Sequence, residues 1–252
     1  MIKIQRVQTG IKGFDELVEG GIPRGMCVLV TGSPGTAKTL FGLQYLFNGL
    51  TKFKEKGLYV TVGQSVDVLK KQAAMFGWDL DKLSKSGLEV MPLSTKQLDS
   101  NIAAVIMDKV RQGRYKRLVI DSLTTLSLNA PLYRSLNDIS VTDIVKNKSV
   151  FSPPIGGESI IQSFIYNFID NIHQLTDCTT ILVSESSEKG EYLTRDQVSE
   201  FVSDGIVLLT FESMGGEFSR SLLVRKMRQT NNDEDVHPLE ISQKGLVVHT
   251  VK

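Results

Sequence analysis

The sequence predicts an α/β fold with a mostly parallel central sheet covered by helices and an antiparallel carboxyl-terminal end. Short runs rich in Val, Ile and Leu alternate with longer stretches whose apolar residues recur every three or four positions, the pattern of parallel strands joined by crossover helices. Those runs are nearly continuous in apolar character, as strands covered on both faces must be. From Gly205 onward the pattern changes to closely spaced strands with Gly215-Gly216 and Lys244-Gly245 as hairpin turn signals.

Taken in order, the apolar runs place strands at Met26–Thr31, Gly57–Gly63, Leu88–Pro92, Arg117–Asp121 and Thr179–Glu185. Helical periodicity places helices between them at Lys38–Lys54, Val66–Phe76, Asn101–Gly113 and Ser159–Thr176. The ending reads as strands at Gly205–Glu212, Phe218–Met227, Leu239–Ser242 and Leu246–Val251. The stretch from Ser127 to Gly157, with Pro131, Pro153, Pro154 and Gly156-Gly157, fits no clean element and exceeds ordinary loop lengths. It reads either as a lid or partner-specific insertion or as a surface excursion with one extra helix around Ile139–Lys146.

At 252 residues and 41% hydrophobic content, the chain suits one domain over residues 1–252 with one sizeable core. Twenty-nine basic and twenty-eight acidic residues leave a net charge of +1, which supplies no global field for nucleic acid or an anionic membrane. Cys27 and Cys178 sit inside apolar runs without metal-ligand spacing, so they read as reduced core residues. No run has the length of a bilayer span or the character of a signal peptide, and the expected location is the cytoplasm.

The chemistry concentrates in Gly32-Ser33-Pro34-Gly35-Thr36-Ala37-Lys38-Thr39, followed by Leu40. This segment follows a buried strand and opens a helix, which is the context a phosphate-binding loop requires. Successive backbone N–H groups and the helix amino terminus make a positive concavity for phosphate. Lys38 is expected to reach the β- and γ-phosphates of ATP, or the β-phosphate of ADP, and Thr39 to ligate Mg. Glycine is usual where Ala37 stands; the expectation is a helical backbone there, where a methyl group costs little. Asp121 ends the strand Arg117–Asp121 at the carboxyl edge of the sheet, the position from which a carboxylate holds Mg through water.

The segment Thr9-Gly-Ile-Lys-Gly-Phe-Asp-Glu-Leu-Val-Glu-Gly-Gly-Ile-Pro-Arg-Gly25 resembles the leading motif of the KaiC-like and RadA-like branch of the RecA superfamily. Phe76-Gly-Trp-Asp-Leu80, Val119-Ile-Asp-Ser-Leu-Thr124, Val183-Ser-Glu185, Lys226-Met-Arg228 and Pro238-Leu-Glu-Ile241 are similar to later landmarks of that family, in the same order. The resemblance covers nearly the whole chain outside Ser127–Gly157 and implies a RecA-type core, with ATP between subunits of a homo-oligomer, commonly a hexameric ring. It also implies that Lys226 and Arg228 reach the γ-phosphate held by the adjacent subunit, which is arginine-finger logic. Strand alternation puts Lys226 and Arg228 on one face and Arg225 on the other.

One departure bears on mechanism. The family shows a pair of glutamates after the second strand, one of which activates water, and here the matching positions are Gly63 and Gln64. Glutamine orients water but takes up protons poorly, so slow hydrolysis is expected. Glu185, resembling the family's γ-phosphate sensor, is the alternative base. The remaining features suggest less: His173, His237 and His249 lack metal-spaced companions. Phe41, Tyr45 and Phe47 suit core packing, while Lys70-Lys71 and Arg114–Arg117 read as solvated ends. Three function classes follow: a slow ATP-hydrolysing ring regulator, an ATP-gated scaffold that does not hydrolyse, and a recombinase-like DNA mediator, which the neutral charge disfavours.

Overall fold

The computed structural model describes residues 4–95, 98, 101–128, 157–186, 192–214 and 217–251. In chain order its elements are β1 (Arg6–Val7), α1 (Phe14–Leu17), β2 (Ile22–Pro23), β3 (Cys27–Gly32), α2 (Lys38–Phe53), β4 (Gly57–Val62), α3 (Val66–Ala74) and α4 (Leu80–Ser86). There follow β5 (Leu88–Leu93), α5 (Ile102–Gly113), β6 (Arg117–Asp121), α6 (Leu123–Leu128), α7 (Gly157–His173), β7 (Thr179–Glu185) and α8 (Ser199–Val202). The chain closes with β8 (Gly205–Met214), β9 (Glu217–Met227), β10 (Val236–Ser242) and β11 (Gly245–Val248).

Nine strands form one sheet in the order β11-β10-β9-β8-β3-β7-β6-β4-β5. The block from β8 to β5 is parallel throughout, and β9, β10 and β11 add to it antiparallel. All six residues of β3 are buried, because the strand lies at the centre and both faces are covered. Its odd and even positions feed different cores: Val28 and Val30 pack with Phe41 and Tyr45 of α2, whereas Cys27 and Leu29 pack with α5 and α7. This is the period-two alternation of a strand, realised with apolar residues on both sides.

The predicted strands and helices are present, with ends shifted by up to three residues. Helix α3 stops at Ala74 instead of Phe76, ahead of Gly77, whose φ of 75° cannot continue a helix. The hairpin between β10 and β11 turns one residue earlier than expected, with Ser242 opposite Gly245. The periodicity did not reveal β1, β2, α1, α4 and α8, which are too short to show one; α4 nevertheless carries the signals of a helix. Asp79 accepts from the Lys82 N–H at 3.1 Å at its start, and Gly87 closes it with φ 119°. Of the stretch from Ser127 to Gly157 only the ends are described, Ser127 and Leu128 in α6 and Gly157 opening α7; the expected helix at Ile139–Lys146 lies outside the described residues, as does Gly215-Gly216.

Phe41 and Tyr45 are wholly buried, and Phe47 stacks on Trp78 with centroids 4.7 Å apart. Both cysteines are buried and unbridged, and burial pushes the Cys178 thiol up to about 12, leaving an inert protonated group. Arg117 corrects the expectation of a solvated end, since it is the largest of the fully buried side chains. It pairs with Glu55 at 2.7 Å, donates to the carbonyls of Tyr45 and Gln8, and stacks over Tyr45 and Phe53. Burying a guanidinium is costly unless it is paired and hydrogen-bonded, and here three chain segments supply the acceptors.

Candidate functional site

Strands β3, β6 and β7 deliver Gly32, Asp121 and Glu185 to one edge of the sheet, with Gly32 opposite Glu185 and Asp121 opposite Val183. From Gly32 the chain turns through an exposed tip of Ser33, Pro34 and Gly35 and enters α2 at Lys38. Gly32 has no room for a side chain: a Cβ would stand 2.2 Å from the Leu209 carbonyl oxygen on β8. Wholly buried Thr36 ties the loop down by donating to the Ser33 carbonyl at 2.8 Å. Ala37 overturns the expectation of a helical backbone. It holds φ 77° and ψ 24° as the residue capping α2, so the loop's left-handed turn extends one residue further than the sequence suggests. A left-handed alanine costs roughly 1–2 kcal/mol, strain that a glycine would avoid.

Lys38 folds over the loop and donates to the carbonyls of Gly32 and Ser33 at 2.7 and 2.8 Å. Burial lowers its ammonium pKa, against the opposing pull of the Glu185 and Asp121 carboxylates. The Thr39 hydroxyl donates to Asp121 Oδ2 at 2.7 Å, so its oxygen keeps its lone pairs for a cation while its proton goes to the carboxylate. The Thr39 hydroxyl oxygen and the neighbouring Asp121 carboxylate make a donor set suited to a hard divalent cation such as Mg. Asp121 does not cap α6; Ser122 does, accepting from the Thr125 N–H at 3.1 Å. Beside the loop a cleft of about 350 Å³ runs past Lys38, Thr39 and Leu40 to Leu43, Met75, Phe76 and Ile241. Leu40, Leu43, Met75, Phe76 and Ile241 give this cleft apolar walls beside the phosphate-type loop.

Gln64 stands two residues beyond β4, whose Thr61 is opposite Asp121, and its carbonyl accepts from the Thr61 hydroxyl at 3.1 Å. Glu185 faces the same edge. Its carboxylate lies 3.4 Å from the Arg195 guanidinium and close enough to Lys38 to act on its pKa.

Lys226 and Arg228 are not brought to this edge. Leu209 lies beside Gly32, whereas Gly205 pairs with Met227, so four residues of β8, about 13 Å at a strand's rise, separate the two. Lys226 Nζ donates to the Ser203 carbonyl at 2.6 Å, and Arg228 pairs with Asp204 at 3.1 Å with half its side chain exposed. Asp204 in turn accepts from the Cys27 N–H at 3.0 Å, and the His173 ring lies 3.1 Å from it. Lys226 and Arg228 share a face by simple alternation about buried Met227; it is Arg225 that departs from alternation. The register slips by one between Ile206 and Val207, leaving Arg225 as the extra residue, so that Val224 and Met227 both enter the core and Arg225 is no longer set opposite the other two cations.

Two side chains at the site carried no expectation. Arg220 on β9 stacks over Phe211 and donates to the Gly35 carbonyl at 3.0 Å, bringing a further cation to the loop. Tyr59 on β4, fully buried, donates its hydroxyl to Asp121 Oδ2 at 2.6 Å. The register offered a signal for it, because Thr61 opposite Asp121 puts Tyr59 on the same face one step down. Among the described residues there is no cluster of three or more His, Cys, Asp or Glu placed to hold a metal, and no helix long and apolar enough to cross a membrane.

The leading motif lies apart from this site. Asp15 accepts from the Thr9 N–H and hydroxyl and the Gly10 N–H, while Asn48 of α2 donates to the Thr9 carbonyl, which fastens the amino-terminal segment to α2. Compared with known proteins, the chain matches the family described as "ATPase: KaiC" over residues 7–139 and 149–252. It is similar to a UPF0273 protein of Thermotoga maritima, 32% identical over 98% of this chain and 96% of that protein, and to one of Pyrococcus furiosus, 34% identical over 99% and 96%. The circadian clock oscillator protein KaiC of Synechococcus elongatus is 29% identical over 96% of this chain and 44% of its own length. Among solved structures, a KaiC-like protein from the hyperthermophilic archaeon Pyrococcus horikoshii superposes with a TM-score of 0.77 at 29% identity, covering 98% of this chain and all of that one. The RecA-type fold that the motifs implied is the fold observed, and the chain belongs to the KaiC family of ATPases.

Proposed function

We propose that residues 1–252 form one ATP-binding domain of a cytoplasmic, ring-forming regulator, hexameric as is common in the family, that hydrolyses ATP slowly at its subunit boundaries. The observation that carries this reading is the division of charged groups between the two ends of the sheet. The phosphate-type loop, Thr39, Asp121 and Glu185 occupy one end, and Lys226 and Arg228 the other, out of reach of their own chain's loop. A second copy placed head to tail brings the two ends together, and a ring is what such a contact makes when it closes.

In this reading the amides of Gly32–Thr39 cradle the β-phosphate, Lys38 exchanges its carbonyl partners for phosphate oxygens, and the base lies against Leu43, Met75, Phe76 and Ile241. Thr39 directly, and Asp121 through water, would hold Mg, which when bound neutralises charge on the β- and γ-phosphates. Gln64 orients the attacking water, Glu185 receives its proton, and Lys226 with Arg228 of the neighbouring copy stabilises charge on the transferred group. With no carboxylate at Gly63 or Gln64 the rate is low, and ATP occupancy rather than its turnover sets the state of the ring. The same absence favours a second reading, in which ATP is bound and gates partner contacts without being hydrolysed.

Complementation in mixed rings tests the proposal. Lys38→Ala and Arg228→Ala proteins are each assayed for single-turnover ATP hydrolysis with Mg, then mixed in equal amounts, with Asp121→Asn as the inactive control. Each variant alone is expected to be inactive, and the mixture to regain a fraction of wild-type turnover from boundaries pairing an intact loop with an intact arginine. No recovery on mixing, or an Arg228→Ala protein as active as wild type, overturns the shared site. Tight ATP binding without turnover in the wild type selects the scaffold.

A further inference from the structure

Strand β4, hydrogen-bonded to β5 on one side and β6 on the other, carries Leu58-Tyr59-Val60, and all three residues are fully buried. A phenylalanine would fill the space of Tyr59 equally well, so the packing does not call for a hydroxyl. Burying a hydroxyl costs free energy unless it is paired, and this one is paired with Asp121 Oδ2 at 2.6 Å. That same oxygen receives the Thr39 hydroxyl at 2.7 Å. Among the described residues, Asp121 Oδ1 takes no hydrogen bond, so one carboxylate oxygen is anchored by two donors and the other is left for further ligation.

The two donors come from different parts of the fold. Thr39 lies in the first turn of α2, directly after the loop. Tyr59 belongs to the sheet and lies diagonally across from Asp121 on the neighbouring strand β6. Without the phenol the carboxylate would be tied only to the helix that follows the loop, and its terminal torsion is soft and roughly two-fold.

We infer that Tyr59 is a positioning residue for the divalent cation that accompanies the nucleotide: it fixes Asp121 to the sheet so that Oδ1 is presented to the cation's water shell whatever the loop does. This rests on the reading of Thr39 and Asp121 as the cation-holding pair. Partners of this kind, one bond removed from a metal's ligands, typically change metal affinity by about 10–100-fold when deleted.

The test is a Mg titration of the binding of a fluorescent ATP analogue to the full chain, with and without Tyr59→Phe, repeated in excess EDTA, beside Asp121→Asn. Tyr59→Phe is expected to raise the Mg concentration for half-saturation roughly ten-fold and to leave binding of metal-free nucleotide unchanged. A purely structural role would lower the thermal midpoint in EDTA and weaken binding with and without Mg alike, and that result overturns the inference. An unchanged Mg requirement in Tyr59→Phe, with a raised one in Asp121→Asn, overturns it while sparing the cation pair. If Asp121→Asn leaves the Mg requirement untouched, the cation pair itself is wrong, and the role inferred for Tyr59 falls with it.

Discussion

At the scale of single residues the site is governed by backbone as much as by chemistry. The two positions where the family carries glutamates are not equivalent here: Gly63 has φ 83°, which a side chain adopts only with strain, whereas Gln64 is not among the positive-φ residues. Gly63→Glu is therefore expected to cost about 1–2 kcal/mol and to lower the thermal midpoint by a few degrees. Gln64→Glu should fold normally and speed single-turnover hydrolysis, on the order of 10²-fold if a general base is what the site lacks. An unaltered rate in Gln64→Glu would mean that Glu185 already serves as base or that the barrier lies elsewhere. Lys38, Thr39 and Asp121 were legible in the sequence because each stands at a junction that strand and helix patterns mark. Tyr59 was not, because inside an apolar strand a phenol reads as core and its hydroxyl finds its partner only through the sheet register. The φ of Ala37 was equally hidden, since alanine by itself favours the helical backbone and only the closed loop imposes the left-handed one.

At the scale of elements, β9 and β6 show what pattern reading captures and what it omits. Leu222, Val224 and Met227 are the core residues of β9, spaced by two and then by three, and a spacing of three within a strand is itself the mark of a bulge. The strand was legible and the bulge in principle so. Arg117 was legible only as the start of β6, because the acceptors that make its burial tolerable come from Gln8, Tyr45 and Glu55, remote in sequence. Removing one partner of a buried ion pair strands the other. Arg117→Ala is accordingly expected to destabilise the fold by about 3–5 kcal/mol, read as a lower urea midpoint at unchanged slope. Arg117→Lys should recover only part of that, since an ammonium cannot reproduce the planar fork that serves three acceptors at once. A loss below 1 kcal/mol in the alanine variant would show that the amino-terminal segment and α2 hold β6 without it.

At the scale of the whole molecule, the sheet separates the loop with Asp121 and Glu185 from Lys226 and Arg228. With a net charge of +1 there is no long-range field to draw copies together, so the proposed association would have to come from local complementarity. In the proposed ring the half-exposed Arg228, held in place by Asp204, would face the loop of the next copy, whose Lys38 is turned onto the carbonyls of Gly32 and Ser33. On that reading a triphosphate bound in the loop supplies the anion that draws Arg228 in, and nucleotide is the agent that makes the contact favourable. Sedimentation velocity should accordingly show a low-mass species without nucleotide and a shift to a multiple of 27.9 kDa with ATP and Mg, a shift that Arg228→Ala weakens and high salt reduces. Because the Arg228 side chain, among the described residues, bonds Asp204 alone and is half exposed, its loss should leave the thermal midpoint of the nucleotide-free chain within a few degrees, so a failure to assemble could not be ascribed to unfolding. Assembly that is as complete without nucleotide as with it, or unaffected by Arg228→Ala, would place the contact between copies elsewhere on the molecule and remove the reason for separating these charges by the length of a strand.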